Sequence, residues 1–169
     1  MRRPRVIFSH GLASSPDSIK IRRLTGIAEG RGFPTLAIDY RDTEDPRLRG
    51  ERLAAYVSQE DPPPLLVGSS MGGSISLAVA ALMPVAGLFL MAPAVGLPGY
   101  PAFPIAPKTD HIAIVAAWGD EIIPPENIFE LGKKTGASLL FLDSDHRLSN
   151  QHEEVGEFFR QFLEKLPDC

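Results

Sequence analysis

Gly68-Ser69-Ser70-Met71-Gly72 places a serine between the apolar run Pro64 to Val67 and the helix-like stretch Gly73 to Leu82. A serine hydroxyl is a weak nucleophile at neutral pH. It needs an imidazole to take its proton and a carboxylate to hold that imidazole in one tautomer. Two polar clusters further along supply both. Trp118-Gly119-Asp120-Glu121-Ile122-Ile123-Pro124 and Asp143-Ser144-Asp145-His146-Arg147-Leu148 each follow an apolar run, so Ser70, Asp120 and His146 occur in that order, each just after a predicted strand. The chemistry this points to is acyl transfer. A serine in a sharp strand-to-helix turn, the nucleophile elbow, requires neighbours without side chains, and Gly68 and Gly72 meet that need. Because the turn opens directly into a helix, the backbone N–H of Met71 is directed at the oxygen on which negative charge develops.

Positioning such groups is the work of the elements around them. Nearly continuous Val, Ile, Leu and Phe runs predict strands at Arg5 to Ser9, Thr35 to Asp39, Leu65 to Gly68, Gly87 to Met91, Ile112 to Ala117 and Leu139 to Leu142. Amphipathic stretches between them predict helices near Ser18 to Glu29, Arg47 to Gln59, Met71 to Leu82, Pro125 to Lys134 and Gln151 to Lys165, with Pro84 ending the third. The alternation is that of βα units wound about a parallel sheet. The expected class is therefore α/β, a three-layer α/β/α sandwich on a mostly parallel sheet of about six strands. With 169 residues the chain is long enough for one well-buried core and short for two ordinary domains, so 1–169 reads as a single domain. Ala92 to Pro107 carries five prolines and two glycines, a density that blocks helix and strand alike and predicts an ordered loop or small flap.

Composition narrows the partners. An apolar fraction of 44% and a charged fraction of 22% are those of a soluble globular protein, and no apolar run approaches the roughly 20 residues that span a bilayer. No membrane association is expected. The basic start, Met1-Arg2-Arg3-Pro4-Arg5, leads into an apolar run that stops at Phe8, which argues against a secretory signal. Cys169 is the only cysteine, so no internal disulfide forms and a cytoplasmic location is expected. A net charge of −4 without a basic cluster argues against nucleic acid. No cofactor or metal is expected either. Gly132-Lys133-Lys134-Thr135 has the end of a phosphate-binding loop, but Asn127 stands where its first glycine belongs and the segment closes a helix. Asp143, Asp145 and His146 lack a second histidine or further carboxylate to complete a metal shell.

From Phe8-Ser9-His10-Gly11-Leu12 through the elbow to His146 and the last helix, the chain resembles the α/β-hydrolases, close to their small, capless, bacterial esterase-like members. The resemblance implies Ser70 as nucleophile, His146 as general base and then acid, and Asp120, four residues before Pro124, as the orienting carboxylate. It also implies Leu12, the residue after His-Gly, as the second oxyanion-hole donor beside Met71. His10 then shapes its loop without transferring protons. Asp143 and Asp145 are alternatives to Asp120, nearer to His146 but in turn-forming sequence. Glu121 is a further rival, although adjacent side chains leave a loop in different directions. His111 and His152 read as structural. Ser14 and Ser15 either order the oxyanion loop or serve as plain turn and capping residues.

Larger members of the family insert a cap near Ala92 to Lys108, where this chain has only its proline-rich loop. The expected site is therefore shallow and open, suited to small acyl esters or thioesters. Leu12, Met71, Leu97, Tyr100, Phe103, Ile122 and Leu148 are candidate apolar walls or ordinary packing. The reading is a serine hydrolase acting on small esters. Its rivals are a hydrolase-shaped binding protein with little turnover, and an amidase or peptidase with the same triad. Oligomeric state is left open by the residues.

Overall fold

The computed structural model describes residues 2–98, 100 and 106–166. Six strands, β1 (Val6–Ser9), β2 (Thr35–Ile38), β3 (Leu65–Ser69), β4 (Gly87–Met91), β5 (Ile112–Ala117) and β6 (Ser138–Leu142), alternate with five helices, α1 (Ile19–Gly30), α2 (Pro46–Val57), α3 (Met71–Leu82), α4 (Pro125–Thr135) and α5 (His152–Glu164). The strands form one sheet in the order β2-β1-β3-β4-β5-β6, every pair parallel. Expected and observed elements agree in type and order, with ends shifted by a residue or two.

Side chains alternate across the sheet and so build two cores. Ile7, Leu66, Leu88, Leu90 and Ile114 face α2, α3 and α4. Val6, Phe8, Leu65, Val67, Phe89 and Val115 face α1 and α5. Helices on both faces explain why the central strands are buried at every position and mostly apolar. The edge strands β2 and β6 are only partly buried. Local signals start the helices: the Ser18 side chain accepts from the Ile21 N–H before α1, and Asp45 accepts from the Arg47 N–H before α2, which begins at Pro46.

The chain runs from β1 to β2 in one direction and then returns past β1 to β3. The loops leaving β1 and β3 are therefore neighbours at the switch point of the sheet, where open α/β folds bind their ligands. The segment between β4 and β5 has no helix or strand among its described residues. Phe103 and Cys169 lie outside the described residues. Among the described residues no helix is long and apolar enough to cross a membrane.

Candidate active site

The elbow is visible in the backbone. Ser70 adopts φ 53° and ψ −117°, a conformation that costs a non-glycine residue of order 1–3 kcal/mol and survives only where surroundings hold it. They do. The Ser70 N–H donates to Met91 C=O at 3.0 Å, and its own C=O accepts from the N–H groups of Gly73, Ser74 and Ala94 at 3.0 to 3.1 Å. A Cβ at Gly68 would overlap the Gly72 carbonyl, and one at Gly72 would overlap the Ser9 carbonyl. The elbow is therefore pressed against both its own helix and the end of β1, which is the physical need behind the glycine pair.

A serine at the N-cap ordinarily accepts from a helix N–H. Ser70 makes no such bond, because its Oγ is engaged with His146 Nε2 at 3.0 Å. His146 Nδ1 lies 2.9 Å from Asp120 Oδ2. An ionised carboxylate only accepts, so the Nδ1–H donates to Asp120 and Nε2 is left to accept from the serine hydroxyl. The Asp120 side chain is 2% exposed and that of His146 11%. Asp120 is fixed by its second oxygen, which accepts from the N–H groups of Ile122 at 2.9 Å and Ile123 at 2.7 Å.

The other candidates take supporting places. Glu121 reaches across to accept from the His146 backbone N–H at 3.1 Å, pinning the histidine loop to the aspartate loop. The sequence marks Glu121 only as a rival to Asp120 for the imidazole, and no local pattern marks this long-range bond. Asp145 accepts from the N–H and hydroxyl of Ser149, closing the turn after His146. Lys20 on α1 donates to the Arg147 carbonyl at 3.2 Å, and burial of its ammonium pushes it down to about 8. Of the two readings open for Leu148, wall or packing, the structure shows packing: with φ 57° and no exposed surface it belongs to the core against α1 and α5, where it anchors the histidine loop. Met71, Leu97 and Tyr100 pack on the opposite core, whereas Leu12 and Ile122 are exposed. His111 stacks on Phe162, a structural contact.

His10 is fully buried. Its Nε2 accepts from the Tyr40 N–H at 2.9 Å, so the proton resides on Nδ1 and is donated to Gly11 C=O at 2.7 Å. Burial holds its pKa below the ordinary range, with the Arg49 charge acting in the same direction and the Gly11 carbonyl and Asp39 opposing. The N–H groups of Leu12 and Met71 have no hydrogen-bond partner among the described residues. Arg49, absent from the sequence-level candidates, is buried beside this loop and donates to Gly11 C=O. Its signal was present: it stands on one stripe of α2 with Leu53 and Val57, where an apolar residue belongs.

Comparison with known proteins identifies the family and the fold. A family model described as the alpha/beta hydrolase family matches residues 6–167. A Xanthomonas campestris pv. campestris protein assigned to the alpha/beta superfamily of hydrolases is 31% identical, superposes with a TM-score of 0.89, and is matched over 97% of this chain and 100% of its own. Est1E from Butyrivibrio proteoclasticus shares the fold at 18% identity and TM-score 0.82, over 98% of this chain and 88% of that one. A serine hydrolase without a lid, also from Xanthomonas campestris, shares it at 17% identity and TM-score 0.80, over 100% of this chain and 85% of that one. No curated protein matches the chain in sequence. A parallel sheet in this order, an elbow after β3 and a matching family model over nearly the full length together establish that the chain belongs to the alpha/beta hydrolase family.

Proposed function

We propose that this protein is a serine hydrolase that cleaves small carboxylic esters or thioesters through an acyl-enzyme intermediate. The observation that carries the reading is the hydrogen-bonded series Ser70 Oγ, His146 Nε2, His146 Nδ1, Asp120 Oδ2, with steps of 3.0 and 2.9 Å and its carboxylate buried. Ser70 Oγ attacks the acyl carbonyl carbon as its proton passes to His146 Nε2. The carbonyl oxygen takes up the electron pair and rests on the N–H groups of Leu12 and Met71. Collapse of this adduct breaks the bond to the leaving oxygen or sulfur, which receives the proton from His146. Water then attacks the acyl-enzyme, giving its proton to His146, and a second collapse returns that proton to Ser70 and frees the acid.

Exposed Leu12 and Ile122 flank the triad, and the described residues between β4 and β5 build no cap element. Both features favour short acyl groups over long chains, which need an enclosed apolar wall. Turnover of nitrophenyl esters is expected to fall steeply from acetate and butyrate to palmitate, and to vanish for all of them in Ser70→Ala. Equal turnover of palmitate refutes the substrate class, and undiminished activity in Ser70→Ala refutes the nucleophile.

A further inference from the structure

We infer that Arg49 is a positioning residue for the oxyanion-binding amide of Leu12, acting through the Gly11 carbonyl; the inference rests on the serine-hydrolase reading above. Arg49 is among the largest fully buried side chains of the molecule, 1% exposed. A guanidinium in such a place is expensive unless hydrogen-bonded. Its partners are carbonyls: Nε donates to Thr43 C=O at 2.8 Å and Nη1 to Gly11 C=O at 3.2 Å, and the guanidinium carbon lies 5.4 Å from the centre of the Tyr40 ring.

Gly11 C=O thus receives two donors, Arg49 and the His10 Nδ1–H, both from the buried interior. A trans peptide is planar, so the N–H of the following residue points opposite to that carbonyl. Holding Gly11 C=O inward therefore holds the Leu12 N–H outward. This peptide borders the nucleophile, since a Cβ built on Gly11 would stand 3.4 Å from Ser70 Cβ. The Leu12 N–H has no other partner among the described residues. A cation on the carbonyl also polarises the peptide and strengthens its N–H as a donor. Both effects grow in value as charge builds on the substrate oxygen, so they belong to the transition state more than to substrate binding.

The test compares wild type, Arg49→Met and Arg49→Lys on nitrophenyl acetate, with the infrared carbonyl band of an isotope-labelled, slowly deacylating acyl-enzyme as second readout. In Arg49→Met, kcat is expected to fall about tenfold or more with KM nearly unchanged, as for a displaced oxyanion donor. The acyl carbonyl band moves to higher frequency, because its hydrogen bonds weaken. Arg49→Lys, which keeps the charge but cannot reach both carbonyls, falls between, and carries the test alone if Arg49→Met does not fold. Wild-type kcat and band in a folded variant overturn the inference. So does a loss of rate with the band unmoved, which assigns Arg49 only to bracing the Thr43 loop. A wild-type protein that neither turns over the ester nor is acylated refutes the hydrolase reading itself, and the inference with it.

Discussion

Asp120 has one oxygen for the imidazole and one for two backbone N–H groups, and each task asks something different of the side chain. Asp120→Asn can keep the backbone contacts with its carbonyl oxygen while presenting an amide N–H to His146 Nδ1. That forces the ring proton onto Nε2, where it faces Ser70 and leaves no base. Ester turnover is expected to drop about 10⁴-fold with KM little changed; a drop under tenfold contradicts the assignment of Asp120. His10 makes a different prediction, about stability. Its pKa in the folded protein lies below the ordinary 6.5, chiefly through burial. The unfolded chain therefore binds a proton that the folded one refuses, and the contribution of His10 is full above pH 6.5 and lost as pH falls toward the folded value. Urea midpoints are expected to decline from pH 7.5 to 5.5 and to decline less in His10→Gln, where His111, also lowered by burial, still contributes. The same decline in both proteins contradicts this account.

At the level of elements, the elbow joins β3 to α3 and seats that helix directly on β1. Gly72 has no room for a side chain because the Ser9 carbonyl occupies the place. Gly72→Ala must push the start of α3 away from the sheet, at a cost of about 3 kcal/mol, and carries Ser70 and the Met71 N–H with it. Calorimetry should show a lower Tm and ester assays a lower kcat; a wild-type Tm contradicts the packing described. The elements themselves were legible in the sequence because uninterrupted apolar runs such as Leu65 to Val67 and Ile112 to Ala117 have only one common use, a strand covered on both faces. Helix starts were nearly as clear, expected near Ser18, Arg47 and Pro125 and found at Ile19, Pro46 and Pro125. What stayed hidden were bonds between distant segments. Glu121 accepting from the His146 N–H joins residues 25 apart, and Arg49 meeting Gly11 joins residues 38 apart. The sequence left Leu148 open between wall and packing, because its left-handed backbone, which turns it into the core, has no glycine to advertise it.

For the whole molecule, the central requirement is convergence. Ser70 follows β3, Asp120 follows β5 and His146 follows β6, and only a sheet with these strands in parallel brings all three to one rim. The order of the triad along the chain was readable because each group stands just beyond an apolar run; the distances between them were not, since they depend on the strand order. A fluorophosphonate probe tests that convergence most directly, because it forms a phosphorus–oxygen bond only with a serine whose proton a neighbouring base removes. Intact-mass and peptide analysis after reaction should find one adduct, on Ser70, lost in Ser70→Ala and slowed by orders of magnitude in folded His146→Ala. An adduct on another residue, or a His146→Ala protein labelled at the wild-type rate, would contradict a hydroxyl activated by that imidazole.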